Sequence, residues 1–245
     1  MAEAGALCNN DVQWDQWPVH EYLDEVYRVV HPSDDAIIVH HSQFFRALEP
    51  GSVARSVEVG AGPNLYPLIL AAAVSRHIDA VEPSAANLAY LRGQLQHGPE
   101  HSWTQFHRRC RALQPALPAS LAQCLERVQV VPGDHTDLVP ASYDLASMHF
   151  VAESCTEDAA EFGRVCQAFA ASVRPGGHLV AAFMENMGRY RVGTGPWWPG
   201  YPVDQARVRA VFTPYVTSMS TSRVDFDTTA PDYGYTGMVL LTATC

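Results

Sequence analysis

The sequence predicts a doubly wound α/β fold, a mostly parallel sheet with helices on both faces. Two observations carry this. Between residues 55 and 183, short apolar runs alternate with helical patterns of about 10–15 residues, as they do where parallel strands are joined by helical crossovers. After residue 203 two strand patterns follow each other across a short connector, so at least one late strand runs antiparallel.

Residues 1–20 are irregular and aromatic, with Trp14 and Trp17, and residues 21–30 read as a short helix that His31-Pro32 ends. Ser33 then reads as a helix cap, with Asp34 and Asp35 at the positive end of the dipole. Ile37, His41, Phe44, Phe45 and Leu48 continue as an amphipathic stripe that Glu49-Pro50-Gly51 stops. Residues 55–59 are strand-like, 63–76 helical and 77–81 strand-like. Residues 84–97 form a helix with Leu88, Leu91 and Leu95 on one face, and 99–126 a long, proline-punctuated, mostly helical connection. Strands at 128–131 and 143–149 precede a helix at 156–173, whose first turn Thr156-Glu157-Asp158 is acidic. A Pro-Gly-Gly turn leads into a strand at 179–183. The stretch GTGPWWPGYPV, residues 193–203, is a loop too aromatic for an ordinary connector. A helix at 204–212 and strands at 216–226 and 237–244 complete a chain read as one domain, residues 1–245.

The chain has 245 residues and 16 basic ones, all arginine, against 26 acidic, for a formal charge of −10. That balance disfavours nucleic acid and anionic membrane surfaces as partners. Without lysine there is no Schiff base, no pyridoxal attachment and no P-loop. Arginine and alanine in place of lysine is the bias of a GC-rich genome, which points to a bacterial source. No apolar run approaches the ~18 residues of a membrane span. The first residues lack the basic and apolar regions of a secretory signal, so a cytoplasmic protein is expected. Six cysteines without a C-x-x-C pair read as reduced thiols, with Cys155 among them as packing. The 11 histidines show no zinc-site spacing, so no metal is expected, and His41 reads as a packed core residue. Arg108, Arg109 and Arg111 read as a solvated helix face.

The chemistry centres on SVEVGAGP, residues 56–63, where a strand meets a helix. Gly60 and Gly62 let the backbone turn sharply and approach a ligand. A dinucleotide fingerprint wants a third glycine at 65, where Leu65 stands, and Glu58 is a poor neighbour for pyrophosphate. Glu82 ends the next strand twenty residues after Gly62, placed to accept the hydrogen bonds of a ribose diol. Gly133-Asp134 ends the third, where an acid can take adenine amino hydrogens. An adenosine with a cationic tail and no phosphate fits these acids, and S-adenosylmethionine fits better than NAD or ATP. An NAD-dependent oxidoreductase and a non-catalytic cofactor-binding protein stand as the rival readings.

VEVGAGP, Glu82 and the Arg-Pro-Gly-Gly turn at 174–177 resemble the class I S-adenosylmethionine-dependent methyltransferases. More narrowly, the chain resembles the nicotinamide/phenylethanolamine/thioether methyltransferase family. EYLDEVY at 21–27 is similar to its N-terminal tyrosine motif, GAGPNLY at 60–66 to its glycine loop, and EPSAAN at 82–87 to its ribose strand end. The resemblance implies a Rossmann-like, seven-stranded sheet with the last strand antiparallel. It also implies an N-terminal helical lid (residues 1–50) ahead of the core (51–245). By position, Tyr22 and Tyr27 would lie against the cofactor from the lid, and Gly60, Ala61, Gly62, Asn64 and Tyr66 would hold its methionine part. Glu82, Pro83 and Asn87 would border the ribose, Asp134 and His135 the adenine, and Met148 the sulfonium end. Tyr190 would stack on the substrate, with Asp232 and Tyr235 capping the same pocket. The family usually has Asp at the place of Glu58 and Thr at that of Asn64. Phe183 stands where some members carry a substrate-binding Asp, with Glu185 two residues later.

For acid/base work or amine anchoring, Glu185 is the first candidate, Glu153 the second and Tyr22 a third. Trp17 and the pair Trp197-Trp198 are substrate-stacking candidates, the pair equally readable as a core anchor. The expected activity is methylation of a small aromatic or heterocyclic nitrogen compound, N-methylation favoured, in bacterial specialised metabolism. C-methylation of an indole-type ring is the alternative, and a monomer or homodimer is expected.

Overall fold

Parallel strands joined by helices grow outward from the first one, and the chain does this in both directions. In the computed structural model, which describes residues 6–245, β1 (Ser56–Val59), β2 (Ile78–Glu82) and β3 (Val128–Pro132) step one way. Strands β4 (Tyr143–His149) and β5 (Val173–Glu185) step the other way from β1. With β6 (Ser218–Asp225) and β7 (Gly237–Thr244) the seven-stranded order is β3-β2-β1-β4-β5-β7-β6. The last strand, β7, inserts between β5 and β6 and pairs antiparallel to both.

Eight α-helices pack on this sheet among the described residues: α1 (Val19–Val26), α2 (Pro32–Phe45), α3 (Tyr66–Ala71), α4 (Ala85–His97), α5 (Trp103–Leu113), α6 (Leu121–Leu125), α7 (Ala159–Ala171) and α8 (Gln205–Phe212). Side chains alternate across each strand, so each buried strand feeds two cores. On one face Ile37, Leu68, Phe106 and Cys124 from α2, α3, α5 and α6 meet Leu145, Val180 and Leu240. On the other, Phe162 and Phe169 of α7 and Phe212 of α8 meet Val57, Leu179, Phe183 and Leu241.

Three expectations shift. The helix expected at 63–76 shortens to α3, because Gly62 holds a left-handed φ of +55° and the chain stays in turns until Tyr66. Ser33 is not the cap of α2; His31 is, and Pro32 opens the helix. The Pro-Gly-Gly segment does not precede β5 but lies within it, as an irregularity opposite Tyr143 and Leu145 in the β4 register. No described helix is long and apolar enough to cross a membrane.

Candidate active site

Strand order reverses between β1 and β4, and ligands in open α/β sheets bind at the carboxyl ends of the strands beside such a switch point. A cavity of about 1050 Å³ lies there. Its floor is the turn after β1. Gly60 has φ +63°, and a Cβ on it would stand 2.8 Å from both Val151 methyls, so only glycine lets the turn pass under the β4 loop. The turn is pinned by Ala61 N–H donating to Val81 O (3.0 Å) and by Gly62 N–H donating to Glu82 Oε2 (2.8 Å).

Glu82 is the pivot. Its Oε1 accepts from Ser84 N–H (2.9 Å) and Asn87 Nδ2 (3.0 Å). Burial pushes its carboxyl up, against the lowering effect of Asn87 and the two amides. Asn87 Oδ1 is buried without a partner among the described residues. Beyond β3, Asp134 Oδ2 accepts from Asn9 Nδ2 (3.2 Å), while its Oδ1 accepts from Thr136 N–H (2.7 Å). His135 and Pro83 line the same wall.

Glu58 faces the cavity from β1, and its carboxylate is held by β4. Ser147 Oγ–H donates to one oxygen and His149 Nδ1–H, at 2.9 Å, to the other. The neighbouring His41 packs edge-on to His149, ring centroids 5.2 Å apart. Burial and the other two histidines beside it, His149 and His40, hold its pKa well below the usual histidine value. Tyr66, expected at the methionine part, is wholly buried and stacks on Phe106 instead of lining the cavity.

The N-terminal segment crosses the mouth as a strap. Leu7 N–H donates to Glu157 Oε2 (3.1 Å) while Glu157 N–H donates to Leu7 O (2.8 Å), Asn9 accepts from Trp14 Nε1 (2.9 Å), and Asp15 accepts from Ala85 N–H (2.6 Å). Trp14 stacks on Trp198 at 5.4 Å, and Trp17 packs against Trp198, Tyr22 and Tyr190. Beneath it, Tyr27 Oη accepts from Asn64 Nδ2 (3.0 Å) and lies 3.3 Å from Tyr22 Oη. Burial pushes Tyr22 up to about 12, so its phenol stays neutral at physiological pH and is no ready base.

The two tryptophans of the insert part company. Trp198 is 2% exposed and fixes the insert, exchanging backbone bonds with Tyr190 (2.8 and 3.1 Å). Trp197 is 60% exposed, away from the cavity, with the Arg191 guanidinium over its ring. Trp197→Ala is therefore expected to keep ligand affinity within threefold and stability within about 1 kcal/mol, the range of an exposed cation–π pair. A tenfold loss of substrate affinity in a binding titration would contradict this placement.

Other sequence candidates fall outside the cavity. Met148 sits between Ser147 and His149, so strand alternation turns it away, into the core under α7. Glu185 follows Met184, which lines the cavity, and alternation likewise puts it on the far face. There Arg223 Nε reaches both its oxygens (2.8 and 3.0 Å) and Thr236 Oγ1 donates at 2.8 Å. Arg223 holds the Glu185 carboxyl below its ordinary value. The arginine passes over Gly237, the β7 partner of Glu185, where a Cβ would stand 2.9 Å from Nη2. Glu185 is thus a pinned ion pair between strands, not a free acid or base. Glu153 is wholly buried behind the lining Ser154 and Cys155. Its Oε1 accepts from Met184 N–H (2.7 Å), its Oε2 has no partner among the described residues, and burial pushes it up to about 8. Asp232 is exposed and closes its own turn on Gly234 N–H (2.9 Å).

The structure adds Asn9, Trp14, His149, Phe150, Met184 and Tyr233 to the lining. His149 and Phe150 were findable, since the first ends a predicted strand and the second follows it. Asn9 and Trp14 lie in a segment with no periodicity, and nothing in the sequence signals them. A smaller cavity of about 370 Å³ adjoins the main one through Tyr22, Tyr27, Phe150, Met184 and Tyr233, and there Tyr235 finds its place, against Phe226.

The residues present fit S-adenosylmethionine. Glu82 and the unpartnered Asn87 Oδ1 are acceptors for ribose hydroxyls, and Asp134 is an acceptor at the adenine end. No arginine lines the cavity among the described residues, so nothing there would neutralise a pyrophosphate. Fold and site define an S-adenosylmethionine-dependent methyltransferase. The chain belongs to the NNMT/PNMT/TEMT family, whose model matches residues 7–214.

Among solved structures, the chain is similar to the N-methyltransferase NodS from Bradyrhizobium japonicum WM9 with S-adenosylhomocysteine, at 12% identity and TM-score 0.58, covering 94% of each chain. It is also similar to a possible histamine N-methyltransferase from Thermotoga maritima, at 15% identity and TM-score 0.54, covering 94% of this chain and 97% of that one. A DhpI complex matches at 14% identity and TM-score 0.54, covering 87% and 88%. At these identities the likeness is one of fold. No curated protein matches the sequence.

Proposed function

We propose that the protein methylates the nitrogen of a small aromatic or heterocyclic compound, in bacterial specialised metabolism. The observation that carries this reading is the smaller cavity, which shares walls with the main one and is lined by Tyr22, Tyr27, Phe150, Tyr233 and Tyr235. Its aromatic faces suit the flat face of one small ring.

Bound S-adenosylmethionine supplies a methyl carbon already activated by a sulfonium. The protein then has to align the acceptor and keep water out. In this reading Glu82 and Asn87 hold the ribose, Asp134 and His135 border the adenine, and Glu58 and the turn at Gly60–Gly62 face the methionine part. Tyr22 and Tyr27 separate the two cavities. The strap carrying Asn9, Trp14 and Trp17 closes the mouth against water, anchored on Trp198.

The test is a panel of arylalkylamines, pyridines and indoles incubated with S-adenosylmethionine, with products mapped by mass spectrometry and NMR. A methyl group on nitrogen is the expected result. A methyl group on an indole carbon would replace N-methylation by its alternative, and no methylated product from any of the three classes would remove this substrate class.

A further inference from the structure

The smaller cavity contains a carboxyl group that no cation among the described residues pairs with. Asp34 stands at the third position of α2, where an acid ordinarily turns back to the cap residue's N–H. That contact, from His31 N–H, is 3.4 Å long and is its only hydrogen bond among the described residues. Ordinary N–H···O bonds measure about 2.7–3.2 Å. The helix start is served by another residue: Asp227, from the loop after β6, accepts the Ser33 N–H at 2.9 Å. No arginine or histidine pairs with Asp34 among the described residues, and it is 4% exposed.

An acid so placed is unfavourable to the empty fold. Its one capping contact, from His31 N–H, is long, while Asp227 holds a different donor of the helix start, Ser33 N–H, at 2.9 Å. Its surroundings select what would satisfy it. Tyr22, Tyr27, Phe150, Tyr233 and Tyr235 wall the cavity in which it stands. Aromatic faces around a carboxylate stabilise a cation, repel an anion, and leave the carboxylate unpaired beside a neutral ligand.

We propose that Asp34 and the aromatic rings around it bind a protonated amino group of the substrate. The proposal rests on the methyltransferase reading and adds to it a substrate class, amines that enter as cations. The carboxylate sits on the α2 side of the cavity, and the shared rings lead from it toward the main cavity, so the amine is an anchor that fixes the molecule's direction.

A consequence separates this role from a structural one. Burial, with Asp227 and Asp35 nearby, pushes the Asp34 carboxyl up to about 8, so in the free protein at pH 7 it is mostly protonated. Pairing with an ammonium ionises it and releases its proton to solvent. The other titratable groups facing it are His31 at the cap, Tyr22 from α1, Tyr27 after it, Tyr66 of α3, and Tyr233 and Tyr235 before β7. These phenols are all pushed up by burial and stay neutral at that pH.

The experiment is calorimetry on protein saturated with S-adenosylhomocysteine, at pH 7, in two buffers of different ionisation enthalpy. The probes are matched amine and alcohol pairs: 2-phenylethyl, 2-(indol-3-yl)ethyl, cyclohexylmethyl and butyl. In at least one pair the amine is expected to bind at least tenfold tighter than its alcohol, with release of most of one proton. Asp34→Asn is expected to bring the pair within threefold and to abolish the proton release, whereas Asp24→Asn, an exposed acid of α1 outside the cavity, keeps both.

No pair with a tenfold preference, or a preference that survives in Asp34→Asn, would overturn the proposal. Should Asp34→Asn fail to fold, the wild-type preference and proton release still decide it. If S-adenosylhomocysteine itself does not bind, the methyltransferase reading fails; if it binds and the amine preference is absent, only the Asp34 assignment does.

Discussion

Glu153→Gln is expected to stabilise the protein by about 3 kcal/mol at pH 7 and by almost nothing at pH 4. The Glu153 carboxyl is wholly buried, with one oxygen bonded to Met184 N–H and the other unpartnered. Burial raises its pKa from 4.5 in the unfolded chain to about 8 in the folded one. Between those values the unfolded state binds fewer protons than the folded state, so stability falls as pH rises from about 4.5 to 8. Each pKa unit is worth about 1.4 kcal/mol, an order-of-magnitude figure for so buried a group. Glutamine keeps the oxygen that accepts from Met184 and cannot ionise, so it removes the penalty and not the contact. Urea melts of both proteins at pH 4, 6 and 7 are the check. Equal stabilities at pH 7 would mean that the carboxylate is paired in solution.

Glu82→Gln is expected to weaken S-adenosylhomocysteine binding by about 100-fold. Three N–H donors, from Gly62, Ser84 and Asn87, converge on the two oxygens of Glu82. An amide puts an NH₂ group against at least one of them and removes the charge that strengthens the rest. Loss of a hydrogen bond to a charged group costs about 1.5–3 kcal/mol, and the turn that Gly62 anchors loosens with it. Glu82→Asp keeps the charge and should lose about tenfold. Titration calorimetry separates the two, and unchanged affinity in Glu82→Gln would remove Glu82 from the ligand.

The sheet was legible because parallel strands and helices alternate over most of the chain, each apolar run bounded by its own turn residues. The site was legible where its groups stand in contiguous motifs at strand ends, as with Gly60, Glu82, Asn87 and Asp134. It was not legible where one-residue parity decides. Met148 and Glu185 lie within a residue of lining positions, yet the strand turns them to the opposite face. The arginine that captures Glu185 lies 38 residues away on another strand, a pairing no local pattern encodes. Trp197 and Trp198 divide for the same reason, as neighbours on opposite sides of an extended loop. The strap at Asn9 and Trp14 is held by single side-chain bonds and indole stacking, which leave no periodicity.

The central claim is that the cavity at the β1–β4 switch point holds an adenosine with a cationic tail and no phosphate. Calorimetric titration of the wild-type protein with S-adenosylmethionine, S-adenosylhomocysteine and NAD tests it most directly. One site per chain is expected for each of the first two, and no heat from NAD. Binding of NAD, or silence with both sulfur compounds, would contradict it.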